Sequence, residues 1–278
     1  MSFRVDVFPR VVPVGRTVDL CVESCGPGAS LSAGAKYAVR FFSKVDREDD
    51  KSLDLAADSR GALRVTAAFQ ARGEYALEVR PLGSDEVMVN ECLFAADPAL
   101  AVLLPLKGDV HLHTTASDGR NTPVEMLARA CELDMDFVAV TDHDNFVASR
   151  QARQAAEEQG LGLTVLTGEE VTIRGIGGHV LGLNHARAVG ERRHRPDTDS
   201  ACAAVAARLA GRPLCGTLTP ESYSHAVWTV ERIREGGGLA LMAHPFWEGT
   251  KGKFYPPRCV YEQLLRDGLL DEIGRAHV

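Results

Sequence analysis

The chain has 278 residues, 45% of them hydrophobic and 25% charged, with a formal net charge of −7 and a pI near 5.7. That is enough apolar chain for one large or two smaller domains with buried cores. Nothing in the acidic balance suggests a general electrostatic grip on nucleic acid or an anionic membrane, while a small or locally bound anionic substrate stays open, especially if metal ions supply the positive charge.

The opening residues, MSFRVDVFPRVVPVG, lack the apolar core of a signal peptide. No apolar run approaches the roughly 18 residues of a membrane span. Residues 1–98 then show short alternating or apolar runs: FRVDVFP, TVDLCVES, KYAVRFFSK, GALRVTAAF, GEYALEVRP and EVMVNECLF. Turn-type stretches such as CGPGAS, ADSRG and PLGSDE separate them. Strands punctuated this way predict an antiparallel β-sandwich of Ig-like type, an accessory domain over 1–98, with a linker over 99–107. Cys21 and Cys25 form a C-x3-C, but no second pair at ligand spacing follows. The seven scattered cysteines therefore read as reduced and mostly buried, in a cytoplasmic protein.

From residue 108 the pattern becomes strand, loop, helix, strand. TPVEMLARACELD reads as a helix: Thr122 is the N-cap, Pro123 follows at N1, and Glu125 at N3 completes a capping box. Val124, Leu127 and Cys131 are expected on its buried face. DFVAVTDHD is a buried strand, and ASRQARQAAEEQ a second helix closed by Gly160. LGLTVLTGEE, GHVLGL and LALMAHP are further short apolar runs, with a helix over HAVWTVERIREGG before the last. Repeated units of this kind predict an α/β class with a parallel sheet or barrel.

Ligand-type residues fall at the ends of these strands. His111 and His113 end AVLLPLKGDV, His143 ends FVAV, Glu169 and Glu170 end LTVL, and His244 ends LALMA. In parallel α/β architectures the carboxyl ends of strands meet on one rim, where active sites are built. Residues two apart on an extended backbone point to the same side, so His111 and His113 can share one ion. Imidazole mixed with carboxylate suits Zn, Mn or Fe. His179 opens its strand, and position alone leaves its role even. His185, His194 and His225 have no such placement and read as surface or structural. Asp118 could be a turn residue of Ser-Asp-Gly. Asp109, Asp142 and Asp144 flank the histidines in roles either direct or supporting. GERRHRPD (190–197) reads as a solvated basic loop. Lys251 and Lys253 are better placed for phosphate contact.

In that order, GDVHLHTTASDG, VTDHD, GEE, GHVLGL and AHP resemble the PHP (polymerase and histidinol phosphatase) family. The likeness runs over roughly residues 108–271, and AVWTVERIREGGGLALMAHPFW resembles the branch with a β-sandwich ahead of the catalytic domain. The resemblance implies a distorted (β/α)7 barrel with two or three divalent metal ions (Mn, Zn or Fe). It implies His111, His113, Asp118, His143, Glu170, His179 and His244 as metal ligands, with His143 and Asp118 also catalytic. It selects Glu170 over Glu169, a choice that strand alternation leaves open. The implied activity is hydrolysis of a phosphate ester, a small phosphomonoester or a nucleotide or oligonucleotide end, by metal-activated water without a protein nucleophile. Two rivals remain: a barrel metallohydrolase of amidohydrolase type, and a non-catalytic binding protein with a vestigial barrel.

The chain departs from the family near its end. The G-S-D-x-H type motif is absent, and EIGRAHV resembles translated sequencing-adapter DNA. Residues 272–278 are therefore expected to be a non-native tail on a barrel that is incomplete, with exposed edge strands. The sequence leaves the oligomeric state open.

Overall fold

The computed structural model describes residues 5–24, 31–244 and 258–273. It divides into two compact units, Met1–Pro105 and Leu106–Val278. Cys25, Lys251, Lys253 and positions 274–278 of the expected tail lie outside the described residues.

The first unit contains β1 (Val5–Phe8), β2 (Val11–Pro13), β3 (Thr17–Ser24), β4 (Lys36–Ser43), β5 (Lys51–Ala56), β6 (Leu63–Ala68), β7 (Gly73–Pro81) and β8 (Val89–Ala96). A single helical turn, α1 (Pro98–Ala101), follows. The strands form two sheets, ordered β1-β3-β6 and β2-β8-β7-β4-β5. Period-two alternation aims Tyr37, Val39 and Phe41 of β4 and Leu63, Val65 and Ala67 of β6 inward. Residues of both sheets share one apolar cluster. Phe69 packs edge-on against Phe41 and Tyr75 within it, at ring-centre separations of 5.4 and 4.9 Å. Beside them the buried Asp49 accepts hydrogen bonds from the Tyr75 hydroxyl and from the Gln70 and Ala71 amides, and pairs with Lys51. Sequence reading does not find β2 and β5. Both are sheet edges; β2 is only three residues long, and β5 buries no residue fully, so neither shows a run alternating between buried and exposed residues that the sequence could betray.

The second unit contains β9 (Gly108–Leu112), α2 (Pro123–Glu132), β10 (Phe137–Val140), α3 (Phe146–Glu158), β11 (Thr164–Leu166), β12 (Gly168–Thr172) and β13 (His179–Leu183). It continues through α4 (Pro196–Leu209), α5 (Pro220–Glu235), β14 (Leu239–Met242), α6 (Arg258–Arg266) and β15 (Glu272–Ile273). The sheet β11-β10-β9 is parallel, as expected. The sheet β12-β13-β14-β15 is mixed, because β13 runs antiparallel to both neighbours. The cause is length: residues 173–178 are too few for the crossover that parallel strands need. One parallel bridge, His143 to Glu170, links the end of the first sheet to β12.

The capping box of α2 forms as the sequence predicts. Its buried residues are Leu127 and Ala130, however, and Val124 is 47% exposed. Helix α5 starts earlier than expected, at a Thr219 capping box that uses Ser222 in place of an acidic N3 residue. Helix α4, absent from the sequence reading, starts with Pro196 at its first position and no side-chain cap. Alternation buries both faces of the strands. Val138 and Val140 pack with residues of α2 and α3, while Val180, Ala240 and Met242 pack with residues of α4, α5 and α6. Ala139, Leu181, Leu183, Leu241 and Ala243 cluster together on the opposite faces. No helix among the described residues is long and apolar enough to cross a membrane.

Candidate metal centre

One buried carboxylate collects the histidines. Glu170 has no exposed surface. Its Oε2 lies 2.9 Å from Nε2 of His111 and 2.9 Å from Nε2 of His113. Its Oε1 lies 2.9 Å from Nδ1 of His179 and 2.9 Å from Nε2 of His244. His143 Nδ1 is 3.5 Å from Oε2. Asp118 closes the outer side, with Oδ1 2.7 Å from His113 Nδ1 and Oδ2 3.7 Å from His143 Nε2. The structure thus brings together all seven residues singled out in the sequence.

Local backbone features explain how each arrives. His179 shares a strand face with Leu181 and Leu183, so alternation alone delivers it. Alternation would send His244 to the face of Ala240 and Met242, against the helices. Its φ of +27° breaks the pattern and returns the ring to Glu170. Glu169 and Glu170 part by the same rule. Glu169 takes the helix side, where its carboxylate accepts from the Val189 amide at 2.6 Å and the Gly190 amide at 3.0 Å. It anchors the following loop and makes no contact with the five clustered histidines.

The Ser-Asp-Gly loop is held from beneath by Asp142, which is fully buried. Asp142 accepts from the Thr114 amide (2.8 Å), the Thr114 hydroxyl (2.7 Å) and the Ser117 hydroxyl (2.6 Å). Gly119 is required by space, since a Cβ there would lie 2.2 Å from the His113 carbonyl oxygen. Asp109 accepts from the His111 amide at 2.9 Å. Asp144 accepts from the amide and hydroxyl of Thr172, at 3.0 and 2.9 Å, and pairs with Arg193. All three flanking aspartates therefore support the site from outside the donor set.

Tyr261 sits behind the cluster at 3% exposure. Its hydroxyl is 3.1 Å from the Ala243 carbonyl and 3.4 Å from that of His179. No sequence signal marks it. The other histidines among the described residues stay apart from the cluster: His185 is buried and its Nδ1 meets the Arg187 carbonyl, His225 meets Cys202, and His194 is exposed. In the basic loop, residues 190–192 form a short 3-10 turn, and Arg192 and Arg193 pair with Asp197 and Asp144.

The electrostatics favour ionised carboxylate at the centre. Burial alone would raise Glu170, but hydrogen bonds from four imidazoles hold it far below the usual carboxylate range. Burial also raises Asp118, and His113 outweighs it, so Asp118 too is lowered. Burial lowers His143, with help from neighbouring His179 and His113. His113 is pulled upward by Glu170 and Asp118 against its own burial. Glu169 is pushed up to about 7 by burial, against the two amide bonds.

The donor set fits divalent cations. Three groups each offer one ligand atom per residue within 4.8 Å of the others: His111, Glu170 and His244; His113, Asp118 and His143; His143, Glu170 and His179. Glu170 and His143 are shared between groups. The buried Nδ1 of His143 makes no hydrogen bond, which suits a lone pair directed at a cation.

Comparison with known proteins adds family information. The PHP domain profile matches residues 109–264. The 5'-3' exoribonuclease Rnm of Escherichia coli is 40% identical over 78 residues, 27% of each chain. A phosphoribosyl 1,2-cyclic phosphate 1,2-diphosphodiesterase of Eggerthella lenta is 29% identical over 168 residues, 59% of this chain and 54% of the other. The matches span about a quarter to a half of the length of these relatives. A two-domain protein of Bacteroides vulgatus, containing a predicted PHP-like metal-dependent phosphoesterase, overlaps at a TM-score of 0.39 and 18% identity. That overlap covers 60% of this chain and 43% of the other.

Proposed function

The chain belongs to the PHP domain family, and from that premise we propose that it is a metal-dependent phosphoesterase. The supporting observation is the buried Glu170 carboxylate meeting four imidazoles at 2.9 Å. His111, His113, Asp118, His143, Glu170, His179 and His244 would hold two or three ions of Mn, Zn or Fe in the overlapping groups. When bound, such ions neutralise phosphoryl oxygens and acidify water near neutral pH.

The protein's own groups then have distinct tasks. Glu170, which belongs to two groups, would be the donor shared between neighbouring cations. Asp118, with 68% of its side chain exposed, stands where an incoming ester meets the donor set. His143, whose pKa is lowered by its burial, would offer Nδ1 to a cation and keep Nε2, the nitrogen that faces Asp118, for taking or returning a proton. The substrate class we favour is a small phosphomonoester or a nucleotide or oligonucleotide end. The names of two relatives, a 5'-3' exoribonuclease and a phosphoribosyl 1,2-cyclic phosphate 1,2-diphosphodiesterase, are those of enzymes that act on phosphate esters, which supports the broader class.

We read residues 1–98 as an Ig-like β-sandwich accessory domain, 99–107 as a linker and 108–271 as a distorted (β/α)7 barrel, in a cytoplasmic protein. The experiment is a screen of phosphate release after chelation and resupply of Mn, Zn or Fe. Its substrates are an aryl phosphate, nucleoside monophosphates and 5'-phosphorylated oligonucleotides, with amide and lactone substrates beside them. Metal-dependent release of phosphate supports the proposal, and turnover of amides or lactones alone contradicts it.

A further inference from the structure

We propose that Tyr261 is a positioning residue that presents His179 and His244 to the metal centre; the inference rests on reading the donor set as a metal site. The β13–β14 ladder ends at the pair Val180 and Met242. One further contact, the Ala243 amide on the His179 carbonyl at 3.4 Å, lies beyond it. Past that point the chain leaves the strand, as His244 takes its φ of +27°. Here the Tyr261 hydroxyl takes over from the ladder. It donates to the Ala243 carbonyl at 3.1 Å and accepts from the His179 amide at 3.5 Å. It thereby fixes the backbone on which both imidazoles are carried.

The two rings converge from there. Both reach the same oxygen, Glu170 Oε1, at 2.9 Å, and their nitrogens are 3.3 Å apart. A ring displaced by a fraction of an ångström would leave that geometry. Without the hydroxyl, the Ala243 carbonyl loses its bond to Tyr261 in a buried setting, and the uncommon backbone of His244 loses its neighbouring anchor. Supporting partners of this kind typically cost about 10–100-fold in metal affinity when removed. Tyr261 braces only two of the three donor groups, since His113, Asp118 and His143 come from other segments.

The test is equilibrium dialysis against Mn for the wild type, Tyr261→Phe and Tyr223→Phe. Tyr223 is the control, a buried tyrosine whose hydroxyl meets Asp267 at 3.0 Å. Tyr261→Phe is expected to lose about tenfold or more in affinity for the ions of the His179 and His244 groups while keeping the ion of His113, Asp118 and His143. Tyr223→Phe is expected to bind as the wild type does. Wild-type binding by Tyr261→Phe, or an equal loss in both variants, overturns the proposal. Absence of any binding by the wild type overturns the metal-site reading itself, and the proposal with it. Hydrogen exchange in the unaltered protein is a second check: the His179 amide is expected to be protected, and exchange at the free-amide rate overturns the proposal.

Discussion

His244 Nε2 lies 2.9 Å from Glu170 Oε1, although strand parity assigns the His244 side chain to the opposite face. Reaching that contact requires a left-handed residue that is not glycine, a conformation found mostly where the surroundings enforce it. The relationship shows that the end of β14 is shaped around the Glu170 carboxylate.

Replacing Glu170 therefore removes the centre of the site. Glu170→Gln keeps the volume but leaves four imidazoles facing an uncharged amide. We expect bound Mn per chain to fall by at least half and phosphate release to fall more than about 100-fold, beyond the range seen for supporting residues. Elemental analysis and initial rates check this.

Gly119→Ala places a Cβ 2.2 Å from the His113 carbonyl oxygen. Backbone cannot yield as a flexible side chain can, so the Asp118 loop must shift. The expected result is about tenfold or greater loss of turnover, with KM changed less than kcat. A steady-state comparison with the wild type measures it.

Asp142→Ala strips the Thr114 amide and the Thr114 and Ser117 hydroxyls of their acceptor. Unsatisfied buried donors cost about 1–3 kcal/mol, so denaturant unfolding should show a loss of that order. Affinity for the ion held by His113, Asp118 and His143 should fall with it, as seen by metal titration.

Stability should also respond to pH through Asp49. Burial raises this carboxyl, but Lys51, Tyr75 and two amides hold it down at about 2. A carboxyl lowered in the folded state contributes stability above its unfolded value of about 3.9, and that contribution is lost as pH falls toward 2. Asp49→Asn should therefore unfold more easily than the wild type by roughly 1–2 kcal/mol at pH 7. The gap should narrow below pH 4, as followed by denaturant titration at several pH values.

Much of this arrangement is legible in the residue order. His111, His113, His143 and Glu170 sit where apolar runs stop, and strands that share a sheet must bring such ends together. The Thr122 capping box is legible because both of its partners are local. Features that depend on tertiary contact are not. The antiparallel course of β13 follows from the short 173–178 connection. The face of α2 turns toward Leu127 and Ala130 because of what packs there. The choice between Glu169 and Glu170 depends on which side of β12 meets helices. Tyr261 carries no signal, because its partners are backbone groups far away in sequence.

The most direct test of the account is phosphate release from a 5'-nucleotide by chelated protein as Mn is returned. Saturable, Mn-dependent release by the wild type and none by Glu170→Gln is the predicted result. Release that is unchanged by chelation, or retained in full by Glu170→Gln, would contradict it.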